Sequence, residues 1–493
     1  MSVITLIGGA LRLWRLGIPA GKIFDETYYA KDACWYARAS PSLCGVSDEQ
    51  TAVHPPLGKW FISAGIRIWG FNSFGWRIVC VVAGTITIAL LYVLARRLLH
   101  STLGATSCSA LFAIDFLHFV QSRTSMLDVF VPLFGVAAIL AVVYDRDRSL
   151  GRMGVGEAQE DEAALPHVEA SHGGLLNRPW RVAGGVLAGA ATACKWSGGF
   201  ILVVVIVLSL IYEIGSRKAQ GLPHPFLRTL HEEGGSIVLC LGLLPLAVYM
   251  LSFVGRLEGI WLAWPWTQGS WLRAWWERQL YMESFHHHLT AQHSYESPAW
   301  TWLLLKRPVS YYFTTTSGGK YDEIFASGNP FVWWPAIPCL IYVGIEWMRS
   351  RKLSDPEGLI ILGFVVTYAP WLLPQLGRPA IFLFYLLPSL PFLYLAVGYV
   401  AVRLGDSMEA RAARTLFALG AAGMFAFYYP LLAAVPIPQN DWNTRISIFD
   451  RCDKPPGRVT TGTITTTIKG TPTTKETTSN DNSDLPPDGW CWI

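Results

Sequence analysis

Charge is what this chain has least of. Asp, Glu, Lys and Arg together make up 15% of its 493 residues, against about 25% in a soluble domain. A water-soluble globular fold is therefore set aside in favour of a polytopic membrane protein. Hydrophobic residues reach 52%, including 22 Trp, and the mean hydropathy is +0.33. The net charge of +4 is small, and the basic residues sit at the ends of apolar runs instead of forming a stripe, which excludes nucleic acid as a partner. The nine Cys include no C-x-x-C pair and no His/Cys cluster at zinc spacing. No internal repeat of fixed period is present.

What the chain has is apolar runs near membrane length. They lie at roughly 76–95, 102–121, 124–144, 181–196, 197–214, 236–254, 331–347, 357–373, 381–402 and 412–435. The stretch from Met1 to Leu13 is apolar but short, without the charged start and cleavage site of a signal peptide. It reads as part of a first helix, and the expected count is about eleven spans. Arg96-Arg97, Arg146 to Arg181, Arg217-Lys218, Arg349 to Lys352, and Arg403 with Arg414 all fall on one side, which the positive-inside rule makes cytoplasmic.

The other side then receives residues 17–75, 255–330 and the tail after about 436, while 145–180 is a Gly-containing cytoplasmic loop. Cys34, Cys44, Cys452 and Cys491 lie in polar segments of that outer side. In an oxidising compartment, pairs such as Cys34 with Cys44 and Cys452 with Cys491 are open to disulfide formation. The remaining Cys lie in apolar runs, where they behave as small hydrophobes. Thr dominates residues 459–479, a composition similar to O-glycosylated stalks.

Chemistry is concentrated in an acidic pair, Asp25-Glu26, within Phe24 to Tyr29. One reading makes the pair the start of an interfacial helix, complementing its dipole. Against it stand cations on the same outer side, where they should be depleted: Lys59, Arg123, Lys195 and Arg378. An anionic partner at the outer leaflet, such as a lipid-linked phosphate, accounts for them. His54-Pro55-Pro56-Leu57-Gly58-Lys59-Trp60 reads as an extended entry to an interfacial helix, with Gly58 permitting close approach.

Arg123 and Asp128 lie near a junction of two spans. They are open to a salt bridge closing that hairpin or to a wall of a site. Lys195-Trp196 follows a Gly/Ala-rich helix suited to close packing, and its lysine either snorkels or meets phosphate. His293 to Trp300, with Tyr295 and Glu296, reads as an aromatic loop at headgroup level. The run His286-His287-His288 shows no metal spacing and reads as loop.

Taken together, these segments resemble the protein O-mannosyltransferase family, in its bacterial, actinobacterial-like branch. The resemblance runs in order through Phe24 to Tyr29, His54 to Trp60, Arg123 to Asp128, Cys194 to Gly198, His293 to Trp300 and Phe384 to Pro388, up to about residue 435. It implies an all-α polytopic GT-C glycosyltransferase fold, with a transmembrane domain over 1–435 and an external tail over 436–493.

It also implies transfer of mannose from polyprenyl-phosphate-mannose to Ser/Thr of secreted or membrane proteins, with inversion, at the extracytoplasmic face of the cell membrane. Asp25 is then the catalytic base and Glu26 an organiser, paired with an arginine such as Arg123. His54, Lys59, Arg123, Asp128, Lys195, Trp196 and Arg378 contact the donor phosphate or sugar, and His293, Tyr295, Glu296 and Trp300 form the acceptor loop. No D-x-D accompanies the acidic pair, and neither a catalytic metal nor a cofactor is implied. Partners are the lipid donor, the acceptor polypeptides, the bilayer and, as an open question, the translocation machinery. The large sugar-binding-like insertion of eukaryotic relatives has no room in 255–330, and the Thr-rich tail is itself open to being an acceptor.

Two alternatives stay open. Another GT-C enzyme, passing a different sugar or serving a different acceptor, predicts the same fold and acidic loop. A lipid-linked sugar transporter predicts broken helices with polar residues near mid-membrane, whereas here the ionisable residues collect at span ends.

Overall fold

A computed structural model describes the chain except residues 38, 48, 153–177, 254–270, 289–294, 353, 374–379, 448–462, 469–470 and 477–493. Helices occupy all eleven apolar stretches. Six are long and apolar enough to cross a membrane: Ser73–Leu99, Gly198–Ala219, Pro225–Leu251, Pro330–Ser350, Leu383–Arg403 and Met408–Leu432. Ser2–Leu13, Thr102–Ala113 and Pro356–Leu372 are shorter apolar helices, and Phe130–Arg152 and Pro179–Cys194 complete the set.

Two of the boundaries that differ from the sequence reading bear on the site. The run 102–121 is two helices, Thr102–Ala113 and Phe116–Gln121, because Asp115 interrupts it. Its carboxylate caps the second helix by accepting from His118 N at 2.7 Å. It also accepts from Trp333 Nε1 at 2.7 Å and from the Tyr394 hydroxyl at 2.6 Å. This buried acid is held by one backbone N–H of its own helix and by side chains of two other helices, and after the second helix residues 122–129 form a connecting segment. The next helix accordingly begins at Phe130 instead of near 124.

Small residues set the helix spacing, as the Gly/Ala-rich run 182–193 suggests. A Cβ on Gly185 would lie 1.8 Å from the Cys240 carbonyl oxygen, so Pro179–Cys194 meets Pro225–Leu251 backbone to backbone. Gly58 does the same for the helix Leu57–Trp69, where a Cβ would meet the Leu127 side chain at 2.8 Å. That contact seats the first outer loop on the 122–129 connection.

The described residues of the long segment 255–330 are more than a loop. It contains a helix, Trp271–His287, so His286 and His287 are helical and not loop. It also contains an antiparallel hairpin, Val309–Thr315 with Lys320–Ala326. Ile437–Pro438 adds a third strand, and Trp442 of the following helix donates to Glu323 at 2.6 Å. The first residues after 435 are thus built into this sheet. Farther on, Thr463–Ile468 pairs antiparallel with Thr471–Glu476.

Candidate active site

The two carboxylates of the acidic pair have different surroundings. Glu26 is fully buried. Its Oε1 accepts from Arg77 Nε at 2.8 Å and Ser125 N at 2.9 Å. Its Oε2 accepts from Arg77 Nη2 at 2.8 Å, Ile23 N at 3.1 Å and Trp76 Nε1 at 3.3 Å. Every lone-pair direction is thereby engaged. Arg77 in turn donates to the carbonyls of Leu16, Pro19 and Gly21. One buried pair ties together the acidic loop, the start of Ser73–Leu99 and the 122–129 connection.

Asp25 stands one residue earlier, half-buried, at the N-cap of the helix Glu26–Tyr36, where its side chain makes no capping hydrogen bond. The Tyr29 hydroxyl donates to its Oδ2 at 3.4 Å. Phe24, before it, has φ of 45°, a region that bulky residues rarely occupy. There its ring stacks on Tyr311 with centroids 4.5 Å apart and planes 8° off parallel. The Tyr295 ring lies 6.4 Å away on the same aromatic wall.

Tyr311 reaches the site from the hairpin. The strand register shifts between Ser310 and Tyr312, leaving Tyr311 as the extra residue of a bulge, a device that re-aims a side chain. Its hydroxyl accepts from Gln121 Nε2 at 2.6 Å. Burial first, and then the Asp128 and Asp25 carboxylates, push this phenol well above its ordinary pKa. Tyr311 therefore stays protonated beside both acids.

The opposite wall is Lys195. Its ammonium donates to both oxygens of Asp128, at 2.8 and 2.9 Å, and lies 4.7 Å from the Tyr385 ring centroid. Next to it, Trp196 donates to the Tyr249 hydroxyl at 2.8 Å and lies 5.9 Å from the His286 ring. His286 packs on His54 at 5.4 Å, and His54 on Tyr29 at 5.9 Å. An aromatic chain thus runs from Asp25 to Lys195.

Several expected placements are corrected. Arg123 pairs with neither Glu26 nor Asp128: its guanidinium donates to the carbonyls of Leu11, Arg12 and Trp14, and it pins the first helix. The arginine on Glu26 is Arg77. The partner of Asp128 is Lys195, so no Arg123–Asp128 bridge closes the hairpin. Lys59 is fully buried and pairs with Asp32 at 2.9 Å and Glu49 at 2.6 Å, which makes it a brace within the loop instead of an outward cation. Burial alone would raise the Glu49 carboxyl, but Lys59 and Arg278 hold it below the ordinary range. The loop is also closed by a Cys34–Cys44 disulfide.

Trp300 is 60% exposed, and Glu296 is half-buried. His293, Arg378, Cys452 and Cys491 lie outside the described residues. Among the described residues no group of three His, Cys, Asp or Glu gathers as metal ligands. Sequence reading missed Arg77, Gln121, Tyr311 and His286. Arg77 alone left a signal, a charge one turn inside an apolar helix.

Residues 53–149 match the family model described as dolichyl-phosphate-mannose-protein mannosyltransferase, and residues 271–449 match the C-terminal four TMM region of protein-O-mannosyltransferase. The chain is 32% identical over 481 residues to the polyprenol-phosphate-mannose–protein mannosyltransferase of Mycolicibacterium smegmatis, covering 90% of this chain and 91% of that one.

Among solved structures, it is similar to the S. cerevisiae protein O-mannosyltransferase Pmt1–Pmt2 complex bound to the sugar donor. The TM-score is 0.68 at 14% identity, over 91% of this chain and 92% of that one. It is also similar to ArnT from Cupriavidus metallidurans in the apo state, with a TM-score of 0.52 at 14% identity over 88% and 76% of the two chains. At those identities the two structures speak for the fold alone, a multi-pass GT-C membrane architecture.

Proposed function

The chain belongs to the polyprenol-phosphate-mannose–protein mannosyltransferases, glycosyltransferases that move mannose from a lipid-linked phosphate to protein, and we propose that Asp25 is the base of that transfer. The observation that carries this is the asymmetry of the acidic pair. Glu26 is fully buried with its oxygens filled by five donors, while Asp25 is half-buried on the same wall as Tyr29 and Tyr311, where an acceptor can reach it.

In the proposed step an acceptor Ser or Thr oxygen attacks the anomeric carbon of the mannose as its proton passes to Asp25. The carbon–oxygen bond to phosphate breaks, and its electron pair leaves on the lipid phosphate. One displacement inverts the anomeric centre. A hydroxyl is a weak nucleophile at neutral pH, and a positioned base contributes roughly a hundredfold to ten-thousandfold. The leaving phosphate needs no proton, only charge stabilisation, a part assigned to Lys195 and Arg378. Tyr311, protonated beside Asp25, serves as a hydrogen-bond donor to the sugar or the acceptor. His54, Trp196 and Tyr295 form the walls, and Glu296 and Trp300 the acceptor approach.

The reaction is assigned to the extracytoplasmic face. Two features support this: the Cys34–Cys44 disulfide lies in the loop that carries Asp25, and disulfides persist in oxidising compartments. Meanwhile Arg96, Arg97 and Arg146 gather at the other ends of the same helices. An acceptor reaches a half-buried base as an extended segment, which fits delivery by the protein translocation machinery.

The test is an assay of membranes carrying the protein with polyprenyl-phosphate-mannose and a Thr/Pro-rich peptide. Mannose on the peptide with inverted anomeric configuration is the expected result. No transfer to any Ser/Thr peptide, with transfer to another acceptor, would favour a different GT-C specificity.

A further inference from the structure

The end of the molecule opposite Asp25 carries its own built cavity. Arg77 and Arg97 lie on one helix, Ser73–Leu99, twenty residues apart, which is about 30 Å at the helical rise. That places the Arg97 end at the other membrane boundary. There a cavity of about 940 Å³ opens among the C-terminal parts of Ser73–Leu99, Phe130–Arg152 and Gly198–Ala219, bordered by Ser354.

Its polar lining is basic: Arg96, Arg97, Arg146 and His100, against one acid, Asp147. Asp147 is shared between Arg97 at 2.6 Å and Arg146 at 2.8 Å, and it neutralises one of the three guanidinium charges. Two of the arginines are oriented by rings. Arg97 lies 4.5 Å over Tyr144 and Arg146 4.9 Å over Tyr212, contacts that hold guanidinium planes in place. Arg96 is exposed and has no ion pair among the described residues. None of these groups takes part in the reaction assigned to Asp25.

An excess of oriented guanidiniums around a roomy cavity at a membrane boundary matches a phosphate-bearing headgroup, the common use of basic pockets between membrane helices. We propose that this cavity binds the phosphate of an anionic membrane lipid, at a site separate from the donor site and on the opposite face. Arg96 and Arg146 contact the phosphate, and Arg97, fixed by Asp147 and Tyr144, frames it.

The experiment is native mass spectrometry of the full-length protein in mixed micelles, titrated with phosphatidylglycerol or phosphatidylcholine, with and without millimolar inorganic phosphate. Wild type is expected to retain phosphatidylglycerol over phosphatidylcholine. Arg96→Gln and Arg146→Gln should each weaken that retention about fivefold, the effect of one basic residue at an anionic surface. Arg96→Gln removes no ion pair and carries the test if the Arg146 variant fails to fold. Displacement by inorganic phosphate assigns the site to the headgroup phosphate itself, and resistance to it assigns the site to the anchored lipid; either sustains the proposal. Equal retention of phosphatidylglycerol by wild type and Arg96→Gln, or no preference over phosphatidylcholine, overturns it. The readout is binding, so it stands apart from any result on transfer.

Discussion

At the scale of residues, adjacent carboxylates are separated by what surrounds them. Glu26 and Arg77 are both buried and tied to one another, and breaking such a pair leaves an uncompensated charge. Glu26→Gln should therefore lower stability by about 3–5 kcal/mol, seen as a lower thermal unfolding midpoint in detergent. Any loss of transfer should then track the loss of folded protein. Tyr311→Phe is the converse case: it removes a single hydroxyl from beside Asp25 and leaves the Phe24 stack intact. Losing a hydrogen bond of about 1.5–3 kcal/mol to a charged or reacting group implies a fall in turnover of about ten- to a hundredfold at matched folded protein, alongside a lower unfolding midpoint, since the buried Gln121 Nε2 loses its acceptor at a cost of about 1–3 kcal/mol.

The sequence shows the acidic pair plainly because a membrane chain carries so few charges. It does not show which arginine meets Glu26, because Arg77 and Arg123 lie at similar span ends and only tertiary packing sets Arg123 on the carbonyls at the end of the first helix. Nor does spacing reveal that Lys59 faces inward, since its partners are Asp32 on a different helix, Glu26–Tyr36, and Glu49 in the connection between the two helices.

At the scale of elements, the hairpin that delivers Tyr311 also buries Glu323, whose carboxyl burial pushes up to about 7. A carboxylate raised in the folded state binds more protons there than in the unfolded chain. Its cost is absent below the unfolded value and appears as pH rises through the folded one. An ordinary glutamate value of 4.5 in the unfolded chain and the raised folded value together imply about 3 kcal/mol lost between pH 4.5 and 7. Glu323→Gln should flatten that dependence and raise stability at pH 8, measured by thermal unfolding from pH 5 to 8.

The hairpin was legible in principle, since Val309 to Thr315 and Lys320 to Ala326 flank Ser317-Gly318-Gly319 and are rich in aromatic and β-branched residues. Its bulge was not, because a one-residue register shift leaves no composition mark. The eleven apolar stretches were read well, since hydrophobic length is the strongest membrane signal. The break at Asp115 depends on Trp333 and Tyr394, more than two hundred residues away, and no local pattern encodes it.

At the scale of the whole molecule, the chain holds a transfer site at one membrane boundary and a phosphate-class cavity at the other, linked by the helix Ser73–Leu99. Impermeant thiol labelling should reach Ser317→Cys on the hairpin turn in intact cells, and Gln220→Cys only after permeabilisation; the reverse pattern would invert the assigned topology. The central claim is the division of labour within Asp25-Glu26. The most direct measurement is the single-turnover rate of mannose transfer from polyprenyl-phosphate-mannose to a Thr-containing peptide by Asp25→Asn, at matched folded protein and saturating donor. A fall of roughly a hundredfold to ten-thousandfold with donor binding unchanged is the expected result, and a rate equal to wild type would contradict Asp25 as the base.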